Sequence, residues 1–215
     1  MNTPWRLVQI STGRQGFFLS CFKGGKGAGI ADWSFPIYYI LEKRSHMKFT
    51  YCPDCGAQLV EKTIGDEGLV PYCENCKRPW FPLSYTCTIT LVVDEEGEIA
   101  LIRQGYVSET NYVCIAGYMK PGEGAEMTAA REVEEELGLK PYQIAYVKSY
   151  PFERKDMLML GYVARVKKGE FCLSQEVDQA DWFTYEEAVK RLRPGSIARQ
   201  LCVEGYQAVM KEGRA

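Results

Sequence analysis

Apolar residues in residues 83–215 recur in two patterns, one typical of strands and one typical of helices. Runs rich in β-branched and aromatic residues, bounded by turn residues, predict strands. The predicted strands are Tyr85–Val93, Ile99–Gln104, Tyr112–Tyr118, Ile144–Tyr150 and Met157–Val166. Helical spacing predicts helices over Ala125–Leu137 and about Ile197–Lys211. Strands that alternate with helices in this order predict an α/β domain with a mixed sheet covered by helices.

Residues 1–46 lack this order. Their periodicity fits neither helix nor strand, and a Gly-rich stretch runs from Gly24 to Gly29 without the Gly-Lys-Ser/Thr ending of a phosphate loop. We therefore expect a poorly structured extension. Bases reading AGGAG, a ribosome-binding sequence, could encode Arg44-Ser45 just before the codon of Met47, so we hypothesise that Met47 is the true first residue. An intact mass of the native protein that retains Met1 would contradict this.

Composition limits the classes of function. The 215 residues have a mass of 24.4 kDa, 46% apolar residues, a net charge of −2 and a pI near 5.7. A dedicated nucleic-acid-binding protein normally has a basic balance or patch, so nucleic acid is not an expected partner. No apolar run is long enough to span a membrane, and the first residues lack the basic-then-apolar order of a signal peptide. We expect a cytoplasmic protein with no membrane partner.

Residues 47–82 contain two Cys-x-x-Cys pairs separated by 17 residues. The four cysteines are Cys52, Cys55, Cys73 and Cys76. Zinc prefers four tetrahedral ligands, and a two-residue spacer lets two thiolates bind one ion. Gly56 suits the tight turn after the first pair, and residues 64–68 can form a hairpin. Disulfides or a redox pair are the alternatives, which a cytoplasmic setting and the doubled motif disfavour. We predict a zinc ribbon with one structural Zn²⁺ ion.

Four further cysteines lie in apolar strand or helix patterns. They are Cys87, Cys114, Cys172 and Cys202. We expect all four to be buried and to behave as small hydrophobic residues.

The segment Arg131–Gly138 carries four glutamates within five positions. Glu132 and Glu136 are four residues apart and so share a helix face, with Glu135 beside them. Like charges there repel one another unless a cation lies between them, and oxygen ligands of this kind prefer Mg²⁺ or Mn²⁺. The alternative is a solvated helix face, which Glu-rich helices usually are.

The residues around the glutamates favour a metal site over a solvated helix face. Gly117, Glu123 and the segment Arg131–Leu139 match the Nudix box at each of its nine defined positions over 23 residues. The chain therefore resembles the Nudix hydrolases, which cleave nucleoside diphosphates linked to another moiety. The resemblance implies a Nudix-type α/β/α sandwich over residues 83–215, preceded by the zinc ribbon.

The resemblance also implies roles for the box residues. Glu132, Glu135 and Glu136 would bind two or three Mg²⁺ or Mn²⁺ ions, and Arg131 would pair with Glu123. Residues 47–215 contain no histidine, so the general base must be a carboxylate or a metal-bound hydroxide. Glu135 is the leading candidate for the base.

A zinc ribbon directly before a Nudix domain is similar to the NADH pyrophosphatases. By that resemblance Glu176 is an additional metal-binding acid, and the substrate-binding residues are Phe81, Tyr118, Ser149 and Ala198. The family has Ser-Gln-Pro-Trp-Pro-Phe-Pro after the box. This chain keeps the serine and first proline in Ser149-Tyr150-Pro151-Phe152, but Glu153-Arg154-Lys155 departs from the second half.

The resemblance therefore implies metal-dependent hydrolysis of the diphosphate bond of NAD(H)-like dinucleotides, yielding AMP and nicotinamide mononucleotide. A homodimer is implied by the family alone. The same chemistry on ADP-ribose, another nucleoside diphosphate derivative or NAD-capped RNA is one alternative. A Nudix-fold nucleotide sensor that does not hydrolyse its ligand is an alternative of another class, although a sensor would tolerate loss of the box glutamates.

Overall fold

The computed structural model describes residues 6–13, 16–22, 49–106, 108 and 110–212. The chain divides into two units, residues 1–45 and residues 46–215. In the first unit, strands β1 (Arg6–Gly13) and β2 (Gly16–Phe22) form an antiparallel hairpin. The sequence predicted neither strand nor helix there, and the predicted Gly-rich linker lies outside the described residues.

The cysteine-rich segment forms a small antiparallel sheet of three strands. These strands are β3 (Val60–Thr63), β4 (Leu69–Cys73) and β5 (Arg78–Pro79). The hairpin predicted over residues 64–68 is present, because a 3₁₀ turn at Gly65–Glu67 connects β3 to β4. Gly65 and Gly68 both have positive φ, which only glycine adopts without strain.

A mixed sheet of six strands forms the centre of the second unit. Its strands are β6 (Tyr85–Val93), β7 (Ile99–Arg103), β8 (Ile115–Tyr118), β9 (Pro141–Phe152), β10 (Met157–Val166) and β11 (Gln179–Phe183). The order is β11-β7-β6-β10-β9, and β8 pairs with β6. The pair β6–β10 is parallel and the other pairs are antiparallel.

Helices cover both faces of this sheet. They are α1 (Ala125–Leu137), α2 (Tyr185–Arg191) and α3 (Ile197–Glu212). Successive side chains of a strand point to opposite faces. On β6, Leu91 packs with the α2 and α3 side of the core, and Val92 packs with the α1 side. The predicted α/β/α sandwich with a mixed sheet is therefore confirmed.

The element bounds differ from the predictions at a few places. Strand β8 begins later than predicted, because Tyr112 and Val113 form only isolated bridges. Strand β9 is longer than predicted at both ends, and β11 and α2 were not predicted at all. The prediction that Cys172 is buried is wrong: it follows β10 in an exposed connection, whereas the other three cysteines predicted to be buried are buried.

No helix in the described part of the chain is both long and apolar enough to cross a membrane.

Helix α3 contains a glycine that packing requires. A Cβ on Gly205 would lie 2.8 Å from Cγ2 of the buried Val163 and 3.5 Å from Leu91 Cδ2. We expect Gly205→Ala to lower the free energy of unfolding by up to about 2 kcal/mol, because overpacking costs about 1–3 kcal/mol and the gain in helix propensity returns only about 1 kcal/mol. Thermal unfolding measures this change.

The matched control is Gln207→Ala, on the exposed side of the same helix. We expect that variant to unfold within about 0.5 kcal/mol of the wild type. A higher unfolding temperature for Gly205→Ala would show that helix propensity outweighs the contact with Val163.

Candidate active site and metal centres

The four cysteines of the small sheet meet at one point. Their sulfur atoms all lie within 4.8 Å of one another. The Cys55 and Cys73 sulfurs are 3.5 Å apart, and those of Cys52 and Cys76 are 3.9 Å apart. Tetrahedral zinc with Zn–S bonds of about 2.3 Å requires sulfurs about 3.8 Å apart. The cysteines are free, so the cluster has the donor set and spacing that can hold zinc.

Each Cys-x-x-Cys pair is followed directly by a residue with left-handed backbone conformation. Gly56 has φ 71° and donates its N–H to the Cys52 carbonyl at 2.8 Å. Lys77 has φ 54° in the corresponding place, and its ammonium pairs with Glu74 at 3.0 Å. The Cys76 N–H donates to the Cys73 sulfur at 3.3 Å. These turns point backbone donors at the sulfurs, which favours thiolates.

The loop between β8 and α1 folds back onto the helix through Glu123. The Glu123 carboxylate accepts hydrogen bonds from the Arg131 guanidinium at 2.7 and 3.0 Å, from the Thr128 hydroxyl at 2.9 Å and from the Lys120 N–H at 3.2 Å. The hydrogen bonds from Arg131 lower the pKa of Glu123 to about 2. The predicted Arg131–Glu123 pair is therefore present, and it links the loop to α1.

Arg131 also binds two further carboxylates. Its Nη1 donates to Glu132 Oε1 and to Glu135 Oε2, both at 2.7 Å, and its Nη2 donates to the Tyr118 carbonyl at 3.2 Å. Together with the two bonds to Glu123, these bonds use all five donors of a guanidinium. Arg131 therefore stabilises the crowded carboxylates and has no donor left for a phosphate in this conformation.

Position 117 requires a glycine, because the Glu132 carboxyl group occupies the space that a side chain would fill. A Cβ on Gly117 would lie 2.0 Å from the Glu132 carboxyl carbon. Burial raises the pKa of Glu132, while the hydrogen bond from Arg131 opposes that rise. The first glycine of the box thus lets the glutamate lie directly on strand β8.

Glu136 is the most buried of the box glutamates. It is 4% exposed, and its Oε1 accepts a hydrogen bond from Gln104 Nε2 at 3.0 Å. Its Oε2 is buried, and no described residue forms a hydrogen bond with it. Burial raises the pKa of Glu136 to about 8, the Gln104 hydrogen bond opposes that rise, and the charges of Glu132, Glu176 and Glu135 add to it. Glu176 therefore lies within electrostatic range of the box.

The box residues fit a hard divalent cation. All the donors are carboxylate oxygens, and one of them, Glu136 Oε2, is buried with no hydrogen bond to any residue that the structure describes. Oxygens of the three box glutamates do not all lie within 4.8 Å of one another among the described residues, because Arg131 separates Glu132 from Glu135. Mg²⁺ keeps several waters and binds through few carboxylates, so such spacing is compatible with it.

A second acidic cluster, Asp94, Glu96 and Glu98, has another explanation. The Asp94 carboxylate accepts hydrogen bonds from the backbone N–H groups of Glu96 at 2.9 Å and Glu98 at 2.8 Å, which closes the turn from β6 to β7. The Lys168 ammonium pairs with Asp94 at 3.7 Å and also with Glu98. A protein cation therefore already balances this cluster.

The predicted substrate-binding residues are not all on one face of the sheet. Tyr118 pairs with Cys87, which is in register with Met159 on the next strand and with Tyr150 on the one after it. This row of side chains lies on the face covered by α3. Ser149 is in register with Leu160, Thr88 and Gly117, on the face covered by α1. The structure therefore does not bring Ser149 and Tyr118 together on one face.

The other two predicted substrate contacts also differ in their surroundings. Ala198 is buried in the core at the start of α3, and its carbonyl accepts from the Cys114 thiol at 3.7 Å. Phe81 lies exposed in the segment between β5 and β6. Their roles in substrate binding stay predictions.

Two residues near the box were not singled out from the sequence. Gln104 could not be found because its partner Glu136 is 32 residues away. Tyr85 forms an edge-to-face contact with Tyr118, with ring centroids 5.9 Å apart, and both rings are about half exposed. The only signal that the sequence offered for Tyr85 was its aromatic character at the first position of a predicted strand.

Comparisons with known proteins agree with this architecture. Residues 85–201, more than half of the chain, match the family model described as NUDIX domain. A Nudix hydrolase structure from Nitrosomonas europaea superposes with a TM-score of 0.59 at 16% identity, covering 77% of this chain and 94% of that one. The NUDIX domain of Shewanella oneidensis NrtR, complexed with ADP ribose, gives 0.53 at 12% identity, covering 64% and 94%. At such identities these structures show the fold alone.

Curated relatives are named NAD-capped RNA hydrolase NudC. The protein from Pectobacterium carotovorum is 31% identical over 160 residues, which are 74% of this chain and 58% of that protein. The one from Edwardsiella ictaluri is 29% identical over 152 residues, 70% and 58%. The match thus spans less than two thirds of their length. Because the family model covers more than half of the chain and the box geometry accompanies it, the protein belongs to the NUDIX domain family.

Proposed function

We propose that the protein is a metal-dependent diphosphatase that hydrolyses NAD(H)-like dinucleotides to AMP and nicotinamide mononucleotide. The observation that carries this proposal is the set of box carboxylates organised by Arg131, with one buried oxygen of Glu136 that has no partner among the residues described. An intact acidic site has a high electrostatic cost, which divalent cations would offset, and the bound cations would in turn attract the anionic diphosphate.

Each box residue has a distinct part in the proposed reaction. Glu132, Glu136 and Glu176 would hold two or three Mg²⁺ or Mn²⁺ ions, together with Glu135. When bound, these ions supply charge neutralisation for the diphosphate and its orientation for in-line attack. Glu135 is half exposed and is the proposed general base, accepting a proton from the attacking water at its carboxylate. Arg131 and Glu123 keep the loop and helix in place.

Aromatic residues support a dinucleotide as the substrate. Tyr118 and Tyr85 pack edge to face and are each about half exposed, on the face of the sheet opposite the box, and stacking of a base on an aromatic ring is worth about 1–3 kcal/mol in nucleic-acid complexes. Tyr118 is joined to the box through its backbone carbonyl, which accepts a hydrogen bond from Arg131. Phe81, Ser149 and Ala198 are further proposed contacts, carried over from the NADH pyrophosphatases. The names of the curated relatives also concern NAD-linked substrates.

Other substrates are alternatives with the same chemistry. NAD-capped RNA is favoured by the names of the relatives, and ADP-ribose by the ligand bound to the Shewanella oneidensis domain. The net charge of −2 gives no special support to RNA. A sensor that binds without hydrolysis is the alternative of another class, and it predicts bound but uncleaved dinucleotide.

We propose that the chain has three parts, of which only residues 83–215, the hydrolase domain, carry the chemistry. Residues 47–82 are the proposed zinc ribbon, and residues 1–46 are an extension ahead of Met47. The zinc would be structural, since four thiolates leave no coordination position for substrate. A cytoplasmic homodimer is the proposed state, as in the resembled family.

Hydrolysis of NADH by the purified chain with Mg²⁺ or Mn²⁺, with products identified by mass, tests the reaction and its substrate. We expect AMP and reduced nicotinamide mononucleotide. We expect Glu135→Gln to lower kcat by about 10²–10⁴-fold, because the amide cannot accept the proton. The matched control is Glu134→Gln on the same helix, where Glu134 is exposed and pairs only with Lys140, at 3.4 Å, among the described residues.

Equal loss of activity in the two glutamine variants would contradict the role of Glu135. Binding of NADH without any products in the wild-type chain would favour the sensor. Cleavage of ADP-ribose or capped RNA alone would move the substrate and keep the chemistry.

Metal analysis tests the ribbon. We expect about one zinc per wild-type chain. We expect Cys73→Ser to lose the zinc and to unfold at a lower temperature, because structural zinc contributes folding free energy directly. Cys172→Ser is the matched control, because Cys172 is exposed and outside the cluster. Full zinc occupancy in Cys73→Ser would show that these four cysteines do not form the site.

A further inference from the structure

Gln104 is a buried polar residue at the end of strand β7. It is 6% exposed, and its amide donates to Glu136 Oε1 at 3.0 Å. Hydrogen bonds with Asp178 hold the backbone on both sides of Gln104. The Gly105 N–H donates to the Asp178 carboxylate at 2.6 Å, and the Asp178 N–H donates to the Arg103 carbonyl at 2.9 Å. The amide therefore reaches α1 from a rigid position on the sheet.

The hydrogen bond divides the two oxygens of Glu136 into different roles. Oε1 is held by Gln104, while Oε2 is buried and has no partner within the part of the chain that the structure describes. Leaving a buried polar atom without a partner is costly, so native proteins rarely keep one without a reason. Because Gln104 holds Oε1, the carboxylate cannot rotate freely. Oε2 therefore remains the oxygen that is available for a ligand.

We propose that Gln104 is a positioning residue for Glu136, holding Oε1 so that Oε2 is the oxygen offered to a divalent cation. This inference rests on the proposed metal-dependent function of the box. In other metal sites, partners that orient a ligand typically contribute about 10–100-fold to metal affinity. Gln104 would have that effect here without touching the ion.

A purely structural role is the competing explanation. In that case the Gln104 amide only satisfies a buried carboxylate, and its removal lowers stability but leaves the metal affinity of the folded protein unchanged. The two explanations therefore differ in metal affinity and agree in stability, so the deciding measurement is cation binding by the folded chain.

The test is titration of the full chain, supplied with zinc, with Mn²⁺, following the electron paramagnetic resonance signal of the free ion without any substrate. Gln104→Met keeps the length of the side chain and removes the donor. We expect a Mn²⁺ Kd about 10–100-fold higher than that of the wild type. Thr90→Val is the matched control: Thr90 is fully buried on the face covered by α1, and its hydroxyl has no hydrogen-bond partner in the described ranges of the chain. Its Kd should not change.

A double-mutant cycle shows whether Gln104 acts through Glu136. We expect Gln104→Met to have no further effect on the Kd in a Glu136→Gln background, because the carboxylate it orients is gone. An unchanged Kd in the single variant, or an equal rise in both backgrounds, would overturn the proposal. If Gln104→Met does not fold, Gln104→Leu carries the same test.

The measurement is separable from the proposed reaction because it uses no dinucleotide. A chain that binds Mn²⁺ through Gln104-oriented Glu136 but cleaves no NADH would retain this inference and refute the substrate. A wild-type chain that binds no Mn²⁺ would overturn the inference.

Discussion

The contact between Glu123 and Arg131 is the interaction on which the rest of the site depends. Glu123 accepts four hydrogen bonds, two from Arg131 and one each from Thr128 and Lys120, which is the full capacity of a carboxylate. Its pKa near 2 keeps it ionised at any ordinary pH. The loop after β8 is thereby tied to α1, and the box glutamates are held at a fixed height above the sheet.

The same arginine makes the crowded carboxylates tolerable. One guanidinium binds three carboxylates and a carbonyl, so repulsion among Glu123, Glu132 and Glu135 is balanced locally. Glu136 is left out of that network and lies instead in the core, where its one side-chain hydrogen bond with a described residue comes from Gln104. The sheet and the loop therefore each control different members of one acidic group.

Much of the fold was predictable because the pattern of apolar residues follows the period of each element. Helix α1 and strand β10 have the predicted bounds, since both are strongly periodic and end at turn residues. Helix α2 was missed although Thr184 and Glu187 form a capping box, because the helix is short and has little apolar period. Strand β8 is shorter than its apolar run, since β6 pairs only with its last four residues.

The candidate site was predictable only where it is local in sequence. The Glu123–Arg131 pair could be inferred because both residues belong to one loop and helix. The Gln104–Glu136 contact depends on how β7 lies against α1, which no local pattern encodes. The separation of Ser149 from Tyr118 depends on strand register, because a shift of one residue exchanges the faces of a sheet.

Charge in the described part of the site distinguishes the proposed metal-bound state from the metal-free one. Arg131 and Lys120 pair with the exposed Glu135, whereas the charges of Glu132, Glu135 and Glu176 act on the buried Glu136. Burial, with these charges, raises the pKa of Glu136 to about 8, which favours its protonated form when no cation is bound. In the proposed metal-bound state, a divalent cation would replace that proton and balance more of the negative charge. The proposed exchange needs only the buried oxygen of Glu136, so the surrounding fold would support both forms.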